Sequence, residues 1–168
     1  MQRQRRMKKP NRRIWIISGI VVLVILFSGF IIFHQAERPI ANAKSEAIEI
    51  AQNSAKMEKV TGFYSENLGK HTYYTVAGND SKGKSIYAII AKKGGKVTIV
   101  NQKAGMTVSQ IRNLIEQRQQ PKKINSIAIT LIKSNPYWIV SYTNKDNKLC
   151  FATMSYKTGT IKKLIENI

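Results

Sequence analysis

The chain has one cysteine in 168 residues, Cys150, so an intrachain disulfide is excluded. Cys150 lies in the apolar run Leu149-Cys150-Phe151-Ala152, where a small buried hydrophobe is expected rather than a reactive thiol. Histidine and aspartate are almost as scarce: His34, His71, Asp80 and Asp146 are the whole inventory. A nucleophile, a base and an orienting group would have to come largely from these four. His34 follows a long apolar run, both aspartates fall in expected hairpin loops, and His71 opens an expected strand. No glycine-rich phosphate cradle follows a strand, and no His/Cys/Asp/Glu cluster has metal-ligand spacing. The expectation is a protein that is not an enzyme, with no catalytic, metal-binding or cofactor-binding residues.

Acidic residues are also few, nine against 28 lysines and arginines, a formal charge of +19. Seven of the basic residues, Arg3, Arg5, Arg6, Lys8, Lys9, Arg12 and Arg13, precede an uncharged run at residues 14–33. As a helix rising about 1.5 Å per residue, twenty such residues reach about 30 Å, the thickness of a bilayer's hydrocarbon core. The run has no polar face, as a core helix of a soluble protein would. It has no ionisable residue to mark a transport path and no GxxxG pair to mark a dimer seam. A cleaved signal peptide would have a shorter apolar core, and the one small-x-small site, Ala41-Asn42-Ala43, lies well past the run. No cysteine follows to carry a lipid near the span. The expected arrangement is a basic cytoplasmic tail at 1–13, a transmembrane helix at 14–33 and a juxtamembrane linker at 34–41. The seven tail residues set the topology, N-terminus inside and the rest extracytoplasmic.

Beyond the tail and span, residues 37–168 keep 21 basic and all nine acidic residues, a formal +12. Such a domain is drawn to anionic lipid or to phosphate-bearing wall polymers, although its lysines are scattered like those of a solvated surface. No nucleic-acid motif is present.

A second feature is a duplication at a constant offset of 64. Tyr73 meets Tyr137, Tyr74 meets Trp138, Val76 meets Val140, Lys84 meets Lys148, Tyr87 meets Phe151, Ala88 meets Ala152 and Gly95 meets Gly159. Two α+β units are expected, at 42–103 and 104–168, each a helix packed on a small antiparallel sheet. In the first, Ala43, Ala47, Ile50 and Ala51 recur at helical spacing. In the second, Thr107 to Gln110 has the form of a capping box, Val108, Ile111, Leu114 and Ile115 form the buried stripe, and Pro121 ends the helix. Strands are expected at 71–77, 85–91 and 97–100, and again at 124–132, 137–142, 149–156 and 161–165. The joint at 102–105 is short, so the units should pack together.

The paired aromatics Tyr73-Tyr74 and Tyr137-Trp138 are the candidates for partner binding. Neighbours in a strand face opposite ways, so one of each pair should be core and the other exposed or between the copies. Core packing also accounts for them.

The tail, the single span and two such units carrying "YYTVAGNDSKGKSIYAIIAKKGGKV" and "PYWIVSYTNKDNKLCFATMSYKTGTI" resemble the YpmB/TseB family of Firmicutes. The resemblance implies an ectodomain of two tandem PepSY-like, cystatin-like units. It also implies a non-enzymatic membrane protein that supports peptidoglycan elongation with a class B penicillin-binding protein. PepSY-type units are linked to peptidase inhibition too, so a tethered inhibitor or chaperone of an extracytoplasmic peptidase is the alternative. A tethered binder of anionic wall polymers is the third.

Overall fold

The computed structural model describes residues 12–67, 69 and 71–166, without the side chains of 12–17 and 29–39. Tail residues Arg3, Arg5, Arg6, Lys8 and Lys9 lie outside the described residues, as do the side chains of Arg12 and Arg13. The first helix, α1 (Arg12–Ala55), passes through residues 34–41, where the sequence suggests a linker, without a break. That segment has no glycine, and its alanines, glutamine, glutamate and arginine favour helix, against the cost of Pro39 in the helix interior. Two compact units divide the chain, Met1–Asn42 and Ala43–Ile168. In the first, residues 18–28 are exposed, including Leu23, Leu26 and Phe27. Among the described residues no helix is long and apolar enough to cross a membrane. Both ends of the expected 14–33 span lie outside the described side chains.

The second unit contains two four-stranded antiparallel meanders. Sheet A comprises β1 (Met57–Asn67), β2 (Thr72–Asp80), β3 (Ser85–Ala91) and β4 (Val97–Asn101) in that order. A 3-10 turn at Gln102–Ala104 leads to α2 (Val108–Gln119). Sheet B follows with β5 (Lys123–Ile132), β6 (Asn135–Thr143), β7 (Leu149–Ser155) and β8 (Ile161–Ile165). The sequence misses β1; the other strands and α2 fall close to their expected places.

The duplication extends to individual hydrogen bonds. Phe63 pairs with Val76 as Ile127 pairs with Val140, and Tyr74 pairs with Ile90 as Trp138 pairs with Met154. Even the bulge between Val60 and Gly62 returns between Ile124 and Ser126. In the first hairpin the Asp80 carboxylate accepts from the backbone N–H groups of Lys82 and Lys84. In the second, the Asn144 side chain accepts from Asp146 and Lys148. Both are short polar side chains bonding to backbone two and four residues on, which fixes the turn locally. The left-handed residue of each turn is Gly83 (φ +73°) or Asn147 (φ 61°), and both helices end in the same conformation, at Lys56 (φ 49°) and Gln120 (φ 44°). The register slips only in the last strand, where a bulge leaves Lys162 unpaired between Ile161 and Lys163.

Each helix covers one face of its sheet. Ala47, Ala51 and Ala55 of α1 pack with Val76, Ile86, Ala88 and Ile90 of sheet A. The α2 start is secured by the expected capping box between Thr107 and Gln110, and its Ile111 and Ile115 are fully buried with Val140, Ala152 and Met154 of sheet B. The opposite face of sheet A, with Ala77, Tyr87 and Ile89, belongs to that same second core, so the two copies share one interior. Edge strand β5 contacts β1, β2 and β3, and the buried Thr75 hydroxyl donates to the Ile129 carbonyl across the two sheets at 2.9 Å.

The joint is fixed as well. The Tyr156 hydroxyl donates to the carbonyls of Asn101 (2.7 Å) and Gln102 (3.2 Å), and its own carbonyl accepts from Met106 N–H. Tyr156→Phe should therefore cost about 1–2 kcal/mol in a denaturant titration, the range for removing a hydroxyl from part-buried carbonyls. A change below a few tenths would mean that the joint is held by packing alone.

Candidate functional site

The four aromatic candidates separate according to which face of the strand they occupy. Trp138 is fully buried at the junction of the copies, where its ring meets Tyr87 edge-on at 5.9 Å and Tyr156 at 6.1 Å. It is core, which corrects its candidacy as a partner contact: the ring points inward beside α2, so only Tyr137 of that pair reaches the half-buried far side. In the first copy both are half-buried. Tyr74 stacks on Phe63 at 6.0 Å, while Tyr73 packs on the edge of the shared core with the exposed His71 ring at 6.4 Å. Cys150 is buried as expected. Among the described residues no group of three His, Cys, Asp or Glu could hold a metal.

Tyr73 and His71 instead mark the edge of a concave surface. Across the far face of sheet B lies a groove of about 810 Å³, with Ile139, Phe151, Thr153 and Ile165 on its apolar side and Glu66 and Tyr73 from sheet A on the other. Lys133 and Lys163, both exposed, stand on its rim. A smaller hollow of about 350 Å³ on the other side of Tyr73 adds Lys92 and Lys93. Lys133 and Ser134 form the two-residue turn from β5 to β6 with φ of 49° and 66°. Hairpins usually fill such left-handed positions with Asn-Gly, so this lip keeps a lysine where local preference would not place one.

Phe151, Thr153, Ile139 and Lys163 are absent from the sequence-derived candidates. The repeat supplied half the signal by matching Phe151 with Tyr87. It could not tell that Tyr87 is buried by the other copy while Phe151 is half-open.

Burial raises the Glu66 carboxyl above the ordinary glutamate value. Its folded state therefore holds the proton more tightly than the unfolded chain does, and the residue weakens the fold as pH rises through the unfolded and then the folded pKa. Glu66→Gln should raise the denaturation midpoint at pH 7, with the gain shrinking below about pH 4, where the unfolded carboxyl is also protonated. An unchanged midpoint at both pH values would mean that the carboxyl is solvated.

The family described as "Cell wall elongation regulator TseB-like domain" matches residues 46–91, the end of α1 through β3. The "Probable cell wall elongation regulator TseB" of Bacillus subtilis (strain 168) is 26% identical over 163 residues, covering 95% of this chain and 99% of that one. The solved structure of the YpmB protein from Bacillus subtilis shares the fold, with a TM-score of 0.62 at 22% identity, over 73% of this chain and 95% of that one. A domain match inside the first copy, a relative aligned from end to end and a common fold agree with the repeat pattern. All three support the YpmB/TseB family as the one this chain resembles.

Proposed function

We propose that the chain is a single-pass membrane protein that regulates cell-wall elongation as an adaptor, without catalysis of its own. The observation that carries this reading is the alignment of nearly the whole of both chains with a relative named as a probable cell wall elongation regulator. A match over 95% of this chain is too extensive to omit residues 14–33, so the relative has aligned sequence at the place of the proposed anchor. That run, with seven basic residues before it, tethers the protein with its tail in the cytoplasm and residues 37–168 outside. The proposed partner is a class B penicillin-binding protein, held beside the membrane by the tether. Two sheets locked through a shared core give a rigid body suited to presenting a fixed contact face.

The test is chemical crosslinking in living cells of the tagged full-length chain and of a secreted form lacking residues 1–36. Recovery of a class B penicillin-binding protein with the anchored form alone is the expected result. Recovery of a peptidase with both forms would replace the adaptor by a peptidase inhibitor.

A further inference from the structure

The internal duplication indicates what the groove is for. In the first copy the far face of sheet A carries Thr75, Tyr87 and Ile89, all buried. It is covered by the second copy: β5 runs against it, Thr75 bonds to the backbone of Ile129, and Trp138 and Tyr156 close over Tyr87. The residues 64 places on are Ile139, Phe151 and Thr153, and they line the groove. Ile139 is buried like Thr75, but Phe151 and Thr153 are half-open where Tyr87 and Ile89 are buried. One face of one unit is thus met twice in the same molecule, once covered by an extended strand and once left open along β7.

The rim differs between the two in charge. Gly69 and Thr98 of the first copy correspond to Lys133 and, through the shifted register of β8, Lys163 of the second. The covered face has no cation at these places, and the open face has two. We infer that the β7–β8 side of the far face of sheet B is a docking site for an extended polypeptide segment of another extracytoplasmic protein, its apolar side chains on Phe151 and Ile165 and its carboxylates at Lys133 and Lys163. This names the contact face of the adaptor proposed above and rests on that reading.

A second copy of the chain does not suit the groove, because residues 37–168 carry +12 and would set lysine against lysine. A phosphate-bearing polymer would satisfy the rim and leave the apolar floor unused. A strand with alternating apolar and acidic residues satisfies both, since successive side chains point to opposite sides and long acidic ones reach the rim.

The experiment places a photoreactive phenylalanine analogue at position 153 or 163 of the full-length chain in living cells, with positions 82 and 112, on the first hairpin and the exposed side of α2, as controls. Adducts from 153 and 163 to a carboxylate-bearing segment of one extracytoplasmic protein are expected, with few from 82 or 112. Combining Lys133→Glu with Lys163→Glu should lower the adduct yield from position 153 at least fivefold while leaving the denaturation midpoint within error. Adducts to a second copy, adducts to wall polymer, or no adduct from either groove position would each overturn the inference. A penicillin-binding protein captured only from 82 or 112 would remove the groove and leave the adaptor standing. A groove adduct to some other protein would do the reverse.

Discussion

Trp138→Ala is expected to destabilise the full-length chain by about 3–5 kcal/mol, the range for removing a fully buried aromatic. Its partner in the repeat, Tyr74→Ala, should cost much less because Tyr74 is half-buried beside Phe63. Trp138 sits where the two copies meet, between Tyr87 of one and Tyr156 of the other, so its loss opens a cavity in the shared core. With a total stability of about 5–15 kcal/mol for a domain of this size, such a loss takes much of the margin. Trp138→Phe should be far milder. Among the described residues the indole N–H has no hydrogen-bond partner, and phenylalanine removes that buried donor while keeping most of the ring. Guanidinium titrations of the detergent-solubilised protein measure all three. Equal losses at Trp138→Ala and Tyr74→Ala would contradict the unequal roles of the copies.

Gly78→Ala is expected to cost about 3 kcal/mol, at the upper end for an overpacked interior. A methyl group there would collide with the Lys59 carbonyl oxygen and lie 2.5 Å from the Met57 sulfur, and a backbone oxygen in a strand pair has little room to retreat. Gly78 pairs with Val60 beside the bulge between Val60 and Gly62, so the substitution forces the two paired strands apart at that point. The second copy has Tyr142 at this position, buried and donating to Gln119 at 3.3 Å. The glycine is therefore a property of the first copy rather than of the repeat. A loss at Gly78→Ala below about 1 kcal/mol would mean that β1 is free to shift.

Much of the fold was legible because the duplication preserves residues that act locally. Asp80 and Asn144 bond the same turn atoms, Gly95 and Gly159 are left-handed at the same place, and Thr107 with Gln110 caps α2 within four residues. These features depend on neighbours in sequence, so spacing reveals them. Strand β1 was not legible from its own pattern. Two register shifts break its alternation, and most of its side chains are partly exposed. Only its offset of 64 from β5 would have exposed it. The groove was hidden for a different reason. Tyr87 and Phe151 are equivalent in the repeat, and which of them is covered depends on how the copies pack, a long-range property that no local spacing encodes. The bulge at Lys162, which brings Lys163 to the place of Thr98, is likewise invisible in an ungapped repeat.

Taken together, the repeat, the shared core and the unequal faces describe a rigid body with one side closed by its own chain and one side open. The adaptor reading adds a tether and a partner in wall elongation. Its most direct test is side-wall incorporation of a fluorescent D-amino acid in cells whose own copy of the gene is deleted. The account predicts that the full-length chain restores the labelling rate, while the secreted form lacking residues 1–36 and the full-length Thr153→Arg variant do not. Full restoration by the secreted form, at matched levels of folded protein, would contradict it.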